Sequence, residues 1–156
     1  MVNNTDLRMF AEGGSGKDRL VGGSRSDFLF GMPGSDRLYG RGGNDRLDAD
    51  TGNDLLDGGD GADALAGWDG NDVLSGGNGD DRLEGLDGDD ILHGAGGNDV
   101  LEGDAGRDHL YGDAGDDLLF GSETPASVDA LDGGPNGTAG DECHPHSPDV
   151  AVNCER

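Results

Sequence analysis

From Asp18 onwards an aspartate stands at every ninth position: Asp18, Asp27, Asp36, Asp45, Asp54, Asp63, Asp72, Asp81, Asp90, Asp99, Asp108 and Asp117. A leucine follows each of the twelve by two residues, from Leu20 to Leu119 without exception. Glycine precedes the aspartate by two residues in eleven of twelve cases, Arg25 being the exception, and by five residues in eleven of twelve, Ala49 being the exception. The unit reads G-G-x-G-x-D-x-L-x, as in Gly76-Gly77-Asn78-Gly79-Asp80-Asp81-Arg82-Leu83-Glu84, and runs from Gly13 to Phe120, 108 of the 156 residues. A period this short and regular describes one structural unit that buries its apolar face only by stacking on copies of itself.

Helix is excluded for such a unit, because each interior glycine costs roughly 1 kcal/mol relative to alanine. The three residues x-L-x suffice for a very short strand with leucine on one face, and the six before them form a glycine-rich turn with access to positive φ. Two repeats then make one coil of 18 residues, with two short parallel sheets facing each other across a leucine core. Coils advance by about 4.8 Å, so six of them form a rod roughly 29 Å long. Asp18, Asp36, Asp54, Asp72, Asp90 and Asp108 stack along one edge of it, and Asp27, Asp45, Asp63, Asp81, Asp99 and Asp117 along the other. Carboxylates that close repel unless a hard cation sits between them, and Ca²⁺, with oxygen ligands at about 2.3–2.6 Å and free use of backbone carbonyls, suits the spacing. Five neighbouring pairs per edge give about ten calcium ions.

In tandem the nonapeptide resembles the RTX, or haemolysin-type, calcium-binding repeat. The resemblance implies an all-β fold, a right-handed parallel β-roll, with the twelve aspartates as metal ligands and the protein secreted. It covers residues 13–120. Residues 1–12 are expected to be an N-terminal tail or cap, and 121–156 an irregular C-terminal cap holding a degenerate repeat. There Asp129-Ala130-Leu131 repeats D-x-L after an insertion containing Ser122-Glu123-Thr124-Pro125, and Gly140-Asp141-Glu142-Cys143 places cysteine where the repeat places leucine. The ending Asp149-Val150-Ala151-Val152-Asn153-Cys154-Glu155 is similar to the cysteine-bearing end of some secreted bacterial members, which implies a Cys143–Cys154 disulfide closing the solenoid. A zinc site from Cys143, His144, His146 and Cys154, or two free thiols, are the alternatives.

Charge points the same way. Asp and Glu outnumber Lys and Arg by 34 to 10, a formal net charge of -24, and about ten divalent cations would offset most of it. With 31% hydrophobic and 4% aromatic residues the metal-free chain is expected to be disordered. Nucleic acid is excluded as a partner by the lack of a basic face. No apolar run reaches the roughly 20 residues of a membrane helix, and five prolines with no three-residue glycine period exclude collagen. The segment Met1-Val2-Asn3-Asn4-Thr5-Asp6 has no apolar stretch resembling a signal peptide, so the chain is read as exported without one or as a piece of a longer protein.

Catalytic patterns are missing. His93 and His109 are followed by Gly94 and Leu110 and cannot open H-E-x-x-H; no serine lies in G-x-S-x-G; Gly16-Lys17 runs into Asp18 where a P-loop needs Ser or Thr; and no EF-hand loop occurs. The chain is read as a non-enzymatic monomer. Trp68 is read as a surface packing residue, with a ligand platform as the alternative. Phe28, Phe30, Tyr39, Tyr111 and Phe120 flank repeat leucines towards the two ends, covering the sheets or meeting a neighbouring domain. Arg19, Arg37, Arg46 and Arg82 point outward, against aggregation. Asn3-Asn4-Thr5 and Asn136-Gly137-Thr138 match the glycosylation sequon. The main functional reading is a secreted calcium-binding module whose folding needs the ion; the alternative is the repeat part of a larger secreted protease, lipase or haemolysin. Ice binding is disfavoured, since the third repeat position carries one threonine, Thr51, in twelve.

Overall fold

The computed structural model describes residues 8–121, 129–135, 140–145 and 149–154. Both sequons, the insertion around Ser122, and His146 lie outside these residues. Among the described residues sixteen strands, from Phe10–Glu12 to Val150–Val152, alternate between two eight-stranded sheets, odd-numbered strands in one and even-numbered in the other. Every pairing is parallel, and within the repeats each residue meets the one 18 further on, as in Leu38↔Leu56 and Leu56↔Leu74. This is the two-sheet β-solenoid with 18 residues per coil that the period predicts.

All twelve repeat leucines are buried, and they form one core with Leu131 and Ala49. Alternation explains this: the central residue of x-L-x points between the sheets and its neighbours point out. Arg19, Arg37, Arg46 and Arg82 are accordingly exposed. Outward-facing rings meet along the rows of side chains: Phe10 lies tilted against Phe30, while His93 stacks on Tyr111 and Phe120 on His144, at centroid separations of 5.2, 4.6 and 4.8 Å.

Eight of the strands, among them Val73–Asn78 and Ile91–Gly96, are six residues long and not three. The pairing extends into the first half of each turn because coils superpose there as well. Backbone amides at the fourth repeat position donate to third-position carbonyls one coil on, as in Gly61 N–H to Asn78 O (2.7 Å) and Gly79 N–H to Gly96 O (2.7 Å). Three strands after the array also keep register. Ala130–Asp132, Glu142–His144 and Val150–Val152 pair onto the preceding rungs, with Leu131 opposite Leu110 and Cys143 opposite Leu119. At the other end Phe10–Glu12 pairs with Phe28–Phe30.

Candidate metal centre

Each repeat aspartate closes a turn and opens a strand, so its main chain is fixed on both sides. Its carbonyl accepts from the first strand residue one coil on, for example Arg37 N–H to Asp18 O and Leu55 N–H to Asp36 O, both 3.0 Å. Its amide donates to a carboxylate oxygen of the aspartate 18 residues ahead. One edge runs from Asp18 through Asp36, Asp54, Asp72 and Asp90 to Asp108 with N···Oδ1 distances of 2.6–2.9 Å. The other runs from Asp27 through Asp45, Asp63, Asp81 and Asp99 to Asp117 at 2.6–2.8 Å. The two expected stacks therefore exist, and they are hydrogen-bonded ladders as well as rows of charge.

The ladders reach past the repeats. Asp108 donates to Asp129, Asp129 to Asp149, and Asp117 to Asp141. Sequence reasoning placed none of these three among the site residues. The signal was present, since each stands two residues before a residue in register with the repeat leucines, Leu131, Cys143 or Ala151. A second ladder was also missed. At the fifth repeat position Asn, Asp and Ser side chains accept the amide one coil on, as Asn53 Oδ1 does from Asn71 and Asp89 Oδ1 from Arg107. Its signal is that nine of the twelve fifth positions are Ser, Asn or Asp.

With Oδ1 accepting an amide in every repeat aspartate from Asp27 to Asp117, each of these carboxylates has one oxygen left. In eleven of the twelve aspartates, all except Asp27, Oδ2 is buried and has no hydrogen-bond partner. So many bare acceptors demand a reason, because an unsatisfied buried oxygen is costly and an unpaired buried charge more so. Burial, with smaller contributions from neighbouring carboxylates, pushes the carboxyls up to about 7 at Asp72, Asp108 and Asp117, and to about 6 at Asp45, Asp81, Asp90 and Asp99. Asp54 and Asp63 are raised for the same first cause.

Carbonyl oxygens surround these atoms. A Cβ on Gly40 would lie 2.3 Å from Asp45 Oδ2 and 2.5 Å from Gly58 O; on Gly94, 2.4 Å from Asp99 Oδ2 and 2.7 Å from Gly112 O. Glycine at the first position therefore holds open a space in which a carboxylate oxygen and a backbone oxygen from the next coil converge. Among the described residues no three His, Cys, Asp or Glu side chains gather at one point, so any ion here must draw most of its ligands from the main chain. An oxygen-only, carbonyl-rich donor set with one charged oxygen per coil fits Ca²⁺ and does not fit a thiolate- or imidazole-seeking metal.

Cys143 and Cys154 are joined in a disulfide, with Cα atoms 5.7 Å apart. Both sulfurs are thereby removed as zinc ligands, which corrects the alternative zinc set; His144 instead stacks on Phe120 and lies 3.1 Å from Glu142. Trp68 is about half exposed, and its indole N–H donates to Asp48. No helix among the described residues is long and apolar enough to cross a membrane.

The family model for the RTX calcium-binding nonapeptide repeat matches this chain in four copies, at residues 12–47, 39–74, 69–101 and 93–123. Together they span residues 12–123, more than two thirds of the sequence. A comparison with curated proteins gives no match.

Proposed function

The chain belongs to the RTX calcium-binding nonapeptide repeat family, and on that premise we propose that it is a secreted module in which the twelve repeat aspartates hold calcium and the bound ions drive folding. The observation that carries this reading is the row of eleven buried, partnerless Oδ2 atoms beside converging carbonyls. Calcium would supply each with a divalent counter-charge and a ligand bond in place of the missing hydrogen bond. Consecutive aspartates on an edge share an ion, which gives about ten ions for the array as a first count. One leucine per nine residues is a thin core, and rows of like charge oppose its closure, so metal binding and folding are one transition. Secretion follows from the calcium demand, since extracellular sites work at 10⁻⁴–10⁻³ M, roughly the range that weak repeat sites need.

A calcium titration of the chelated chain, followed by far-UV circular dichroism, tests this. The expected result is a cooperative gain of β-signal with calcium and none with magnesium, whose strict octahedral geometry and small radius suit the carbonyl-lined turns poorly. An identical spectrum with calcium and with chelator would reject the coupling.

A further inference from the structure

The turn Gly22 to Asp27 departs from all of the other eleven in three ways. Its fourth position is Arg25, whereas every other repeat has glycine there. Arg25 also lacks the positive φ that ten of those eleven glycines adopt, from 101° at Gly43 to 158° at Gly115, although Gly34 lies outside that set as well. Its second position, Gly23, is the one in twelve outside the positive-φ set, although bulkier residues such as Trp68 (75°) and Leu86 (79°) adopt that conformation elsewhere. Finally, the Gly23 amide donates to Asp27 Oδ2 at 2.6 Å, while Oδ1 accepts from the Met9 amide at 2.6 Å. Asp27 is thus the one buried repeat aspartate with both oxygens satisfied by N–H donors.

We infer that this turn is built to do without calcium, and that Arg25 is the residue that keeps the ion out. This rests on the calcium reading above and refines it. A side chain at the fourth position disfavours the positive φ that ten of the eleven glycines adopt there, and in this turn the second position loses its positive φ too, so the turn closes by a different path. That path carries the Gly23 amide onto Oδ2, and a proton donor occupies the place where the other carboxylates are bare. The array's other departure has no such effect: with Ala49 at the first position, Asp54 Oδ2 remains partnerless. The edge that begins with Asp27 then holds ions only from Asp45 onward. Four sharing pairs remain on it against five on the other edge, about nine ions and not ten.

Native mass spectrometry of the calcium-saturated protein, with total calcium measured in parallel, decides the matter. Asp27→Asn should keep the wild-type number of ions, Asp45→Asn should lose one or more, and Arg25→Gly should gain one. Loss of calcium from Asp27→Asn equal to that from Asp45→Asn overturns the inference, and an unchanged count in Arg25→Gly overturns the role of Arg25. Wild-type protein that binds no calcium would defeat the underlying reading instead, which separates the two failures.

Discussion

Asp72 carries two duties on two oxygens. Oδ1 receives the Asp54 amide at 2.8 Å, and Oδ2 is buried without a partner, with burial pushing the carboxyl up to about 7. Asp72→Asn keeps the first duty, because the amide oxygen still accepts, and removes the charge that serves the second. The variant therefore has opposite effects in the two metal states. In chelator it should keep β-signal to a higher pH than the wild type, because a buried unpaired carboxylate has gone. In excess calcium it should be less stable, as two shared sites lose a charged ligand. The pH at which β-signal is lost in chelator and chemical denaturation in calcium measure the two, and the same sign in both conditions would reject the bare-oxygen argument. Asp72→Ala, which also orphans the Asp54 amide, should be worse than Asp72→Asn by about 1–3 kcal/mol in calcium.

Strands and turns were legible to different depths. The nine-residue spacing of Leu20 to Leu119 is enough to give two parallel sheets and their register, because only one stacking superposes the leucines. The six-residue strands were not legible, since residues such as Ala95 and Asp113, which pair across coils at positive φ, show no strand pattern of their own. Nor was the ladder from Asp amide to Asp Oδ1, which depends on how far each coil rises. The end of the molecule was half legible: Cys143 at a leucine position and the folding back of the Val150-Ala151-Val152 run were visible, while the register of Val150–Val152 on Ala130–Asp132 was hidden by insertions of unequal length. The disulfide now links two strand-end segments 11 residues apart and, by restricting the unfolded tail, should contribute up to roughly 3 kcal/mol. Reduction in saturating calcium should speed hydrogen exchange in Ala130–Asp132, Glu142–His144 and Val150–Val152 and leave Leu38 to Leu101 protected. Exchange that spreads evenly along the array would show the bond to be essential to the whole solenoid.

If the repeat carboxylates are the calcium ligands, protons and calcium compete for the same oxygens across the whole molecule, and this fixes the sign of the pH response. In the absence of metal, seven repeat carboxyls are raised to about 6 or 7 from an ordinary value of 3.8, burial being the leading cause. A folded-state value above the unfolded one means that the native form holds more protons between the two, so stability falls as pH rises through that window. The contribution of these groups is fully present below about pH 4 and lost by about pH 7, the reverse of the usual acid denaturation. Protonation also gives each Oδ2 a hydrogen to donate towards the converging carbonyls, and it relieves a formal charge of -24. Chelated protein that is unfolded at pH 8 should therefore regain β-signal when brought to about pH 4.5. The calcium-bound form should behave oppositely, with its midpoint calcium concentration rising as pH drops from 8 to 5, because protons must leave before the ion enters. Circular dichroism over a grid of pH and calcium checks both limbs. A metal-free chain equally unfolded at pH 4.5 and pH 8 would mean that carboxylate repulsion is not what holds the empty array open.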